Sequence, residues 1–383
     1  MRVPMLVDHA FGVSGPHRNV VGSLNALGAR DDLEVVLLTG MIDPSEPYAS
    51  APNITICQGF RPHDPKQLAA NLWRIRRAAR GCDVIYVPSG LKALLYAQAA
   101  HPGRRLVAGP NVTPLPIGKR HDSPGPIELR YLSDLWFEAS MARRDHVRRV
   151  SGVDSIASIQ HSIDTDRFSP QHRNVAVWEG VNVPTDGIRA LYVGKDYALK
   201  GVSQLLDAAD RLNTSGRHDV HIVLVGNMSG ETLERTASMA NVFPVGFQMG
   251  SKLATILASA DMSVVPSSWE NFPFTVMEAM ASGTPVIGSR VGGIPEMIVD
   301  GETGVLVDIA DGQAYRPDAG AILADAIALL ADDRDLRGRL GAGARQRVLD
   351  RFTEQRLGDD LMRVFRGESP PEVTPTEREV PVL

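Results

Sequence analysis

The chain is short of several things at once, and each shortage excludes a class of protein. It has two cysteines in 383 residues, Cys57 and Cys82, too few for a disulfide framework or a thiolate zinc cage. Each sits in or beside an apolar strand, and both are read as buried free thiols, with one disulfide left open. No apolar run reaches the roughly 18 residues that suggest a membrane span. The N-terminus lacks an apolar stretch followed by a small-residue cleavage site. A cytoplasmic protein is therefore expected, with a peripheral contact at the inner membrane face left open. Net charge is only −5, which speaks against nucleic acid as a partner of the whole chain. The Gly-x-Gly-x-x-Gly fingerprint is also absent. The first strand is followed by Gly12 and Gly15 alone, a tight turn or a place where backbone can approach a phosphate.

What is present is an ordinary globular composition, 43% hydrophobic and 22% charged. The length suggests two domains at roughly 100–200 residues each. Charge is unevenly split: residues 1–165 hold 19 basic and 15 acidic residues, the remainder 21 and 30. Apolar runs alternate with helical stretches in both halves. Strands are expected over 3–7, 33–38, 54–57, 83–87 and 105–108, and again over 189–193, 220–225, 242–245, 262–265 and 285–288. Such alternation predicts α/β architecture with doubly wound parallel sheets. The expected division is a first Rossmann-like domain over 1–168, a polar hinge-like linker over 169–187 and a second domain over 188–350. A helix over 354–366 carries Leu357, Leu361, Val364 and Phe365 on one face, and a Pro- and Glu-rich tail over 367–383 is expected to be disordered. Residues 311–319 read as a loop.

The stretch from Asp261 to Glu296, DMSVVPSSWENFPFTVMEAMASGTPVIGSRVGGIPE, organises the second half. An apolar strand ends at Pro266, a polar turn carries Glu270, and a helix follows Pro273. Glu278 is the only charge on that helix, and an unpartnered buried carboxylate costs several kcal/mol. Helical side chains lean toward the N-terminus, so Glu278 is expected to reach back toward the turn. Between the two acids lies a helix start that favours a phosphate. One anion seat flanked by two carboxylates suits a diphosphate between two sugars. In open α/β sheets ligands bind outside the carboxyl ends of the strands. Lys195 and Lys200 lie on that edge, where lysines suit a diphosphate as point charges.

The segment WENFPFTVMEAMASGTPVIGSRVGGIPEMIVDGETGVLV resembles the signature of the retaining glycosyltransferases of family 4, with Glu270 and Glu278 as its two glutamates, seven residues lying between them. The resemblance implies the GT-B fold, two Rossmann-like domains facing across a cleft, and transfer of a hexosyl unit from a nucleoside-diphosphate sugar, UDP- or GDP-linked, to an acceptor hydroxyl. It implies retained configuration by front-face displacement, with no metal and no cofactor besides the donor substrate. By the same resemblance Glu278 takes ribose hydroxyls and Glu270 sugar hydroxyls. Lys195 and Lys200, with the amides of Asn271, Phe272 and Phe274, hold the diphosphate. Gly15, Gly292 and Gly293 line the phosphates, and Gly246 and Phe247 border the base. Lys195 stands where the family usually has Arg. The helix over 354–366 is expected to pack back on the first domain.

On the acceptor side the candidates are His17, Asn111 and Thr113, the last two standing where relatives often carry a His. The acceptor is open among lipid-linked, glycan and small-molecule hydroxyls. The Arg74–Arg80 cluster and the basic stretch over 141–150 could meet an anionic membrane surface. Asp164-Thr165-Asp166 has the D-x-D form of a metal-diphosphate motif, but its flanks fit a connecting segment. Two other readings stay open: a nucleotide-sugar binding protein that transfers nothing, and an epimerase on the same fold.

Overall fold

The computed structural model describes residues 1–10, 15–101, 103, 105–111, 135–151 and 156–369. They form two compact units. The first comprises Met1–Ser162 together with the helix Glu354–Arg366; the second is Ile163–Thr353. Both are α/β, as the alternation predicts.

The first unit is built on seven parallel strands. Their order across the sheet is Ile54–Gln58, Glu34–Thr39, Arg2–Leu6, Val84–Ser89, Arg105–Asn111, Leu135–Glu138 and Ile156–Ser158. Successive strand residues point to opposite faces, and both faces are apolar. Val3, Met5, Val35, Leu37 and Tyr86 share one core with the helices Gly15–Gly28 and Glu354–Arg366. Leu6, Val36, Leu38, Ile85 and Val87 share the other with the helices Leu68–Ala78 and Leu91–Ala100. Burial on both faces explains why these strands read as continuous apolar runs. The last helix seats Leu357, Leu361, Val364 and Phe365 in the first of these cores, and Phe365 meets the Tyr86 ring at 5.4 Å. The strand Leu135–Glu138 was not anticipated: its sequence LWFE ends in a charged residue and gives no apolar run closed by Gly or Pro.

The second unit has six parallel strands in the order Val242–Gly246, Val220–Val225, Ile188–Val193, Met262–Val265, Val286–Ser289 and Gly304–Val307. The chain starts at the central strand Ile188–Val193, winds outward to one edge, then restarts beside the same strand and winds to the other edge. The switch point therefore lies between Ile188–Val193 and Met262–Val265. In an open sheet of this kind it leaves a crevice at the carboxyl ends. Lys195 and Lys200 follow one of these two strands and Glu270 follows the other.

Two expectations need revision. Residues 169–187 are not a free linker. They form three 3-10 turns, Pro170–His172, Val175–Val177 and Glu179–Val181, and bury Trp178 completely. Asn174 exchanges hydrogen bonds with Ser259 Oγ at 2.9 and 3.1 Å, so the segment belongs to the second unit. Residues 311–319 are not all loop, because Ala310–Asp311 and Ala314–Tyr315 pair as a short antiparallel hairpin. Asp164 acts as a turn cap, its carboxylate accepting from the amides of Asp166 and Arg167 at 3.0 and 2.9 Å. Residues 11–14, 115–130 and 370–383 lie outside the described residues. Among those described, no helix is long and apolar enough to cross a membrane.

Candidate functional site

The turn after Met262–Val265 is where the second unit concentrates its polar groups. Pro266 ends the strand, and Ser267, Ser268 and Glu270 follow, all buried. Glu270 is only 8% exposed. Its Oε1 accepts from Ser267 Oγ at 2.8 Å and from Lys200 Nζ at 2.5 Å. A buried carboxylate needs such partners. Lys200 is thus delivered from the other side of the switch point onto the acid that sequence reading had assigned to a separate task.

Backbone geometry holds the two segments together. Gly201 has φ 73°, and a side chain there would run into the Pro266 carbonyl oxygen. Gly292 has φ 52°, and a Cβ on it would strike the Glu270 carbonyl oxygen. That same oxygen accepts from the Gly293 amide at 3.1 Å. Gly292 and Gly293 therefore back the Glu270 turn directly, which is a physical reason for a Gly-Gly pair at this position. Ser289, at the end of the neighbouring strand, donates to the Ser267 carbonyl.

The helix Phe274–Ala281 begins after Pro273, whose ring cannot cap it. Its first-turn amides and positive dipole end open toward the strand edge. Phe272 and Phe274 are buried, and Phe272 packs edge-on against Phe352 at 5.6 Å. Asn271 is partly exposed. Glu278, 1% exposed, sits on the same helix.

Lys195 is exposed and lies over the Tyr197 ring at 5.8 Å, so the two lysines do not share a partner. Tyr192 fixes the Lys195 loop by donating to its carbonyl at 2.8 Å. Burial first, and then the Glu270 charge, pushes the Tyr192 hydroxyl well above its ordinary pKa. It remains a neutral donor. Gly246 closes the edge strand with φ 71° and accepts from the Gly226 amide at 3.0 Å. Phe247 beyond it is 50% exposed, an apolar surface at the same strand edge.

In the first unit, Gly15 opens the helix Gly15–Gly28. His17 lies two residues on, its ring 6.4 Å from that of His9. Burial, then the His9 charge, lowers the His17 pKa, opposed by Asp8. Asp8 Oδ2 lies 3.5 Å from His9 Nε2 and 3.4 Å from His63 Nε2. Sequence reading named His17 alone. His9 was visible as its strand-end counterpart, whereas His63 arrives from a distant loop with no local signal. Asn111 ends the strand Arg105–Asn111, and Thr113 lies outside the described residues. Among the described residues, no group of three or more His, Cys, Asp or Glu side chains is arranged to hold a metal ion.

Sequence reading missed Ser267 as a Glu270 partner and missed Tyr315 entirely. Tyr315, in the hairpin, accepts from the Ser268 amide at 3.0 Å and donates to the Pro266 carbonyl at 3.0 Å.

Comparison with known proteins places this unit. Residues 179–347 match the family described as Glycosyl transferases group 1. A D-inositol 3-phosphate glycosyltransferase of Saccharomonospora viridis is 30% identical over 226 residues, 56% of this chain and 50% of that protein. An MMP alpha-(1->4)-mannosyltransferase of Mycolicibacterium hassiacum is 36% identical over 174 residues, 44% of this chain and 40% of that one. The chain spans about half the length of the curated relatives it matches. Among solved structures, a glycosyltransferase from Rickettsia africae superposes with TM-score 0.74 at 16% identity, covering 96% of this chain and 98% of its own. Anabaena Alr3699/HepE in complex with UDP superposes with TM-score 0.71 at 18% identity, covering 96% and 100%. Residues 179–347 are therefore similar to the glycosyl transferases group 1 family, and the two α/β units have the GT-B fold.

Proposed function

We propose that the protein transfers a hexosyl unit from a nucleoside-diphosphate sugar, UDP- or GDP-linked, to an acceptor hydroxyl with retained configuration. The observation that carries this reading is the junction of Lys200, Glu270 and Ser267 at the switch point of the second sheet, directly ahead of the helix start at Phe274. A diphosphate at that helix start meets amide N–H groups, the dipole and the Lys200 ammonium together. Lys195 adds a second cation from the same edge. These groups stabilise the charge that builds on the leaving diphosphate, the principal catalytic term in such a transfer. Positive charge from side chains and a helix end makes a metal unnecessary in this reading. Glu270 and Glu278 then bind hydroxyls on the sugars at the two ends, and the exposed Phe247 lies beside the base. The leaving diphosphate takes the acceptor proton as the new glycosidic bond forms on the same face. The nucleotide-binding relative supports the reading: its structure is described with UDP.

The first unit offers a surface for the acceptor's environment. Residues 65–101 hold six basic residues and one acidic residue, in a chain of net charge −5. On the helix Leu68–Ala78, Trp73 is 59% exposed and Leu68 is also exposed. Arg76, Arg77 and Arg80 are exposed on and just beyond the same helix. Apolar side chains set among cations suit the surface of an anionic bilayer, so peripheral membrane contact forms part of the proposal, with a lipid-linked acceptor as the corresponding substrate class.

Thermal unfolding against UDP, GDP and ADP and their glucosyl and mannosyl forms tests the donor. A nucleoside diphosphate at 100 times its Kd stabilises by about 2.7 kcal/mol, a shift of several degrees. NMR of the product's anomeric coupling then reads the configuration. No stabilisation by any of these nucleotides would reject the proposal, and an inverted anomer would reject retention.

A further inference from the structure

We infer that Tyr315 is a positioning residue for the donor site, resting on the function proposed above: its hydroxyl clamps the Pro266–Ser268 turn so that Ser267 and Lys200 converge on Glu270. Tyr315 comes from the short hairpin that follows the last strand of the second sheet. The hairpin is tied at its base by the bond from the Arg316 amide to the Ile309 carbonyl, 2.9 Å, and Ile309 is fully buried in the core. Tyr315 therefore approaches the turn from a fixed platform.

Its hydroxyl is used in both directions. It donates to the Pro266 carbonyl at 3.0 Å and accepts from the Ser268 amide at 3.0 Å. One oxygen thus bridges both ends of a three-residue turn whose middle residue is Ser267. Ser267 Oγ in turn donates to Glu270 Oε1 at 2.8 Å, the oxygen that also accepts from Lys200. The second arm of the clamp is steric. A Cβ on Gly201 would lie 2.9 Å from the Tyr315 hydroxyl and run into the Pro266 carbonyl oxygen. The chain bearing Lys200 is thereby wedged against the phenol and the turn at once, and the Ser268 amide–Tyr315 bond is matched by a bond from the same amide to the Leu199 carbonyl at 2.9 Å. The phenol is kept neutral, since burial pushes its pKa up to about 12, so it can act as donor and acceptor across the working pH range. Tyr315 touches neither sugar nor phosphate in this account. It acts through the turn, and its loss leaves every group assigned to ligand binding chemically intact.

The test uses the full chain and whichever of UDP, GDP or ADP stabilises the wild type most. Titration calorimetry compares wild type, Tyr315→Phe, Ser267→Ala, the double variant and Lys200→Ala. Tyr315→Phe is expected to weaken nucleotide binding about tenfold, the size of one lost hydrogen-bonded constraint, while the melting temperature moves by no more than a few degrees. Because both variants act on one turn, the double variant should be no more than about threefold weaker than the worse single one, rather than the product of the two. Unchanged affinity in Tyr315→Phe, with Lys200→Ala still impaired, overturns the positioning role alone. Strictly multiplicative losses overturn it as well, because they would show Tyr315 acting independently of Ser267. If Lys200→Ala binds as the wild type does, the donor-site reading itself fails and the inference falls with it. Should Tyr315→Phe be too unstable to titrate, Tyr315→His takes its place, since one ring nitrogen cannot both donate and accept as the phenol does; a folded variant with weakened affinity supports the role, and a folded variant with full affinity overturns it.

Discussion

Lys200 and Glu270 should be energetically coupled before any donor arrives, and the size of that coupling follows from their burial. The ammonium and carboxylate meet at 2.5 Å, with side-chain exposures of 32% and 11%. An exposed pair of this kind contributes about 0–1 kcal/mol, whereas breaking a buried one by removing a single partner costs about 3–5 kcal/mol. A half-buried lysine on a nearly buried glutamate falls between these limits. Lys200→Met should therefore cost about 2 kcal/mol, because Glu270 keeps its charge and loses its strongest partner. Glu270→Gln should cost about 1 kcal/mol, since a neutral amide is cheaper to bury and Lys200 can turn to water. The double variant should cost less than the sum by about 1–1.5 kcal/mol. For a unit of this size, 1 kcal/mol moves the melting temperature by about 2–4 °C, so differential scanning calorimetry of the four proteins resolves the cycle. Raising salt should shrink the coupling only modestly, as the pair is shielded from the bulk. Strict additivity, a coupling under about 0.3 kcal/mol, would mean that the pair is not held together, and the argument that the site is preorganised around Glu270 would fail.

Three further outcomes are expected. Gly292→Ala should destabilise the protein by about 2–4 kcal/mol, combining left-handed strain with a clash against the Glu270 carbonyl; Gly312→Ala, with φ 59° and nothing near its Cβ, should cost only about 1 kcal/mol, and equal melting shifts for the two would refute the clash. His161 is buried beside Arg356, and burial first, then that charge, lowers its pKa from 6.5 to about 3. The unfolded chain then binds a proton that the folded chain refuses, so stability is full above pH 6.5 and is lost as pH falls from there toward 3; in His161→Gln, denaturant unfolding across that window should show a slope shallower by up to one proton, and an unchanged slope would contradict the assignment. Anionic vesicles should sediment the wild type and release it as salt rises, with Trp73→Ala or Arg76→Glu/Arg77→Glu weakening capture severalfold; equal retention on neutral vesicles would refute the surface.

The second unit was the more legible half of the sequence. Its strands over 220–225 and 262–265 coincide with the observed ones, because buried parallel strands leave largely apolar runs, here broken only by His221 and Ser263 and closed by Gly226 and Pro266. The Glu270–Glu278 spacing was visible for the same reason, as charge stands out on an apolar background. What stayed hidden depends on tertiary convergence. Nothing near Tyr315 announces that it reaches the Pro266–Ser268 turn, since the connection is made by topology across two intervening strands. Lys200 and Glu270 were each noticed, but as neighbours of a ligand rather than of one another. The segment over 169–187 misled because its polar and Pro-containing surface residues outweigh the few, among them Trp178 and Asn174, that pin it. In the first unit, the strand Leu135–Glu138 was lost because its run LWFE ends in a charge rather than at Gly or Pro, and His63 joins Asp8 only because two loops meet at one sheet edge.

The helix Glu354–Arg366 has a bearing on how the molecule is made. It completes a core whose other members include Val3 and Met5, so the first unit cannot finish folding until the residues over 354–366 have been made. The second unit, by contrast, has all its strands and most of its helices in one unbroken run. A vectorially synthesised chain would settle its second unit first and hold the first open, with apolar surface exposed, until the helix Glu354–Arg366 arrives. Truncation after Thr353 would then leave the second unit whole and the first without the helix that closes its core, with apolar surface exposed.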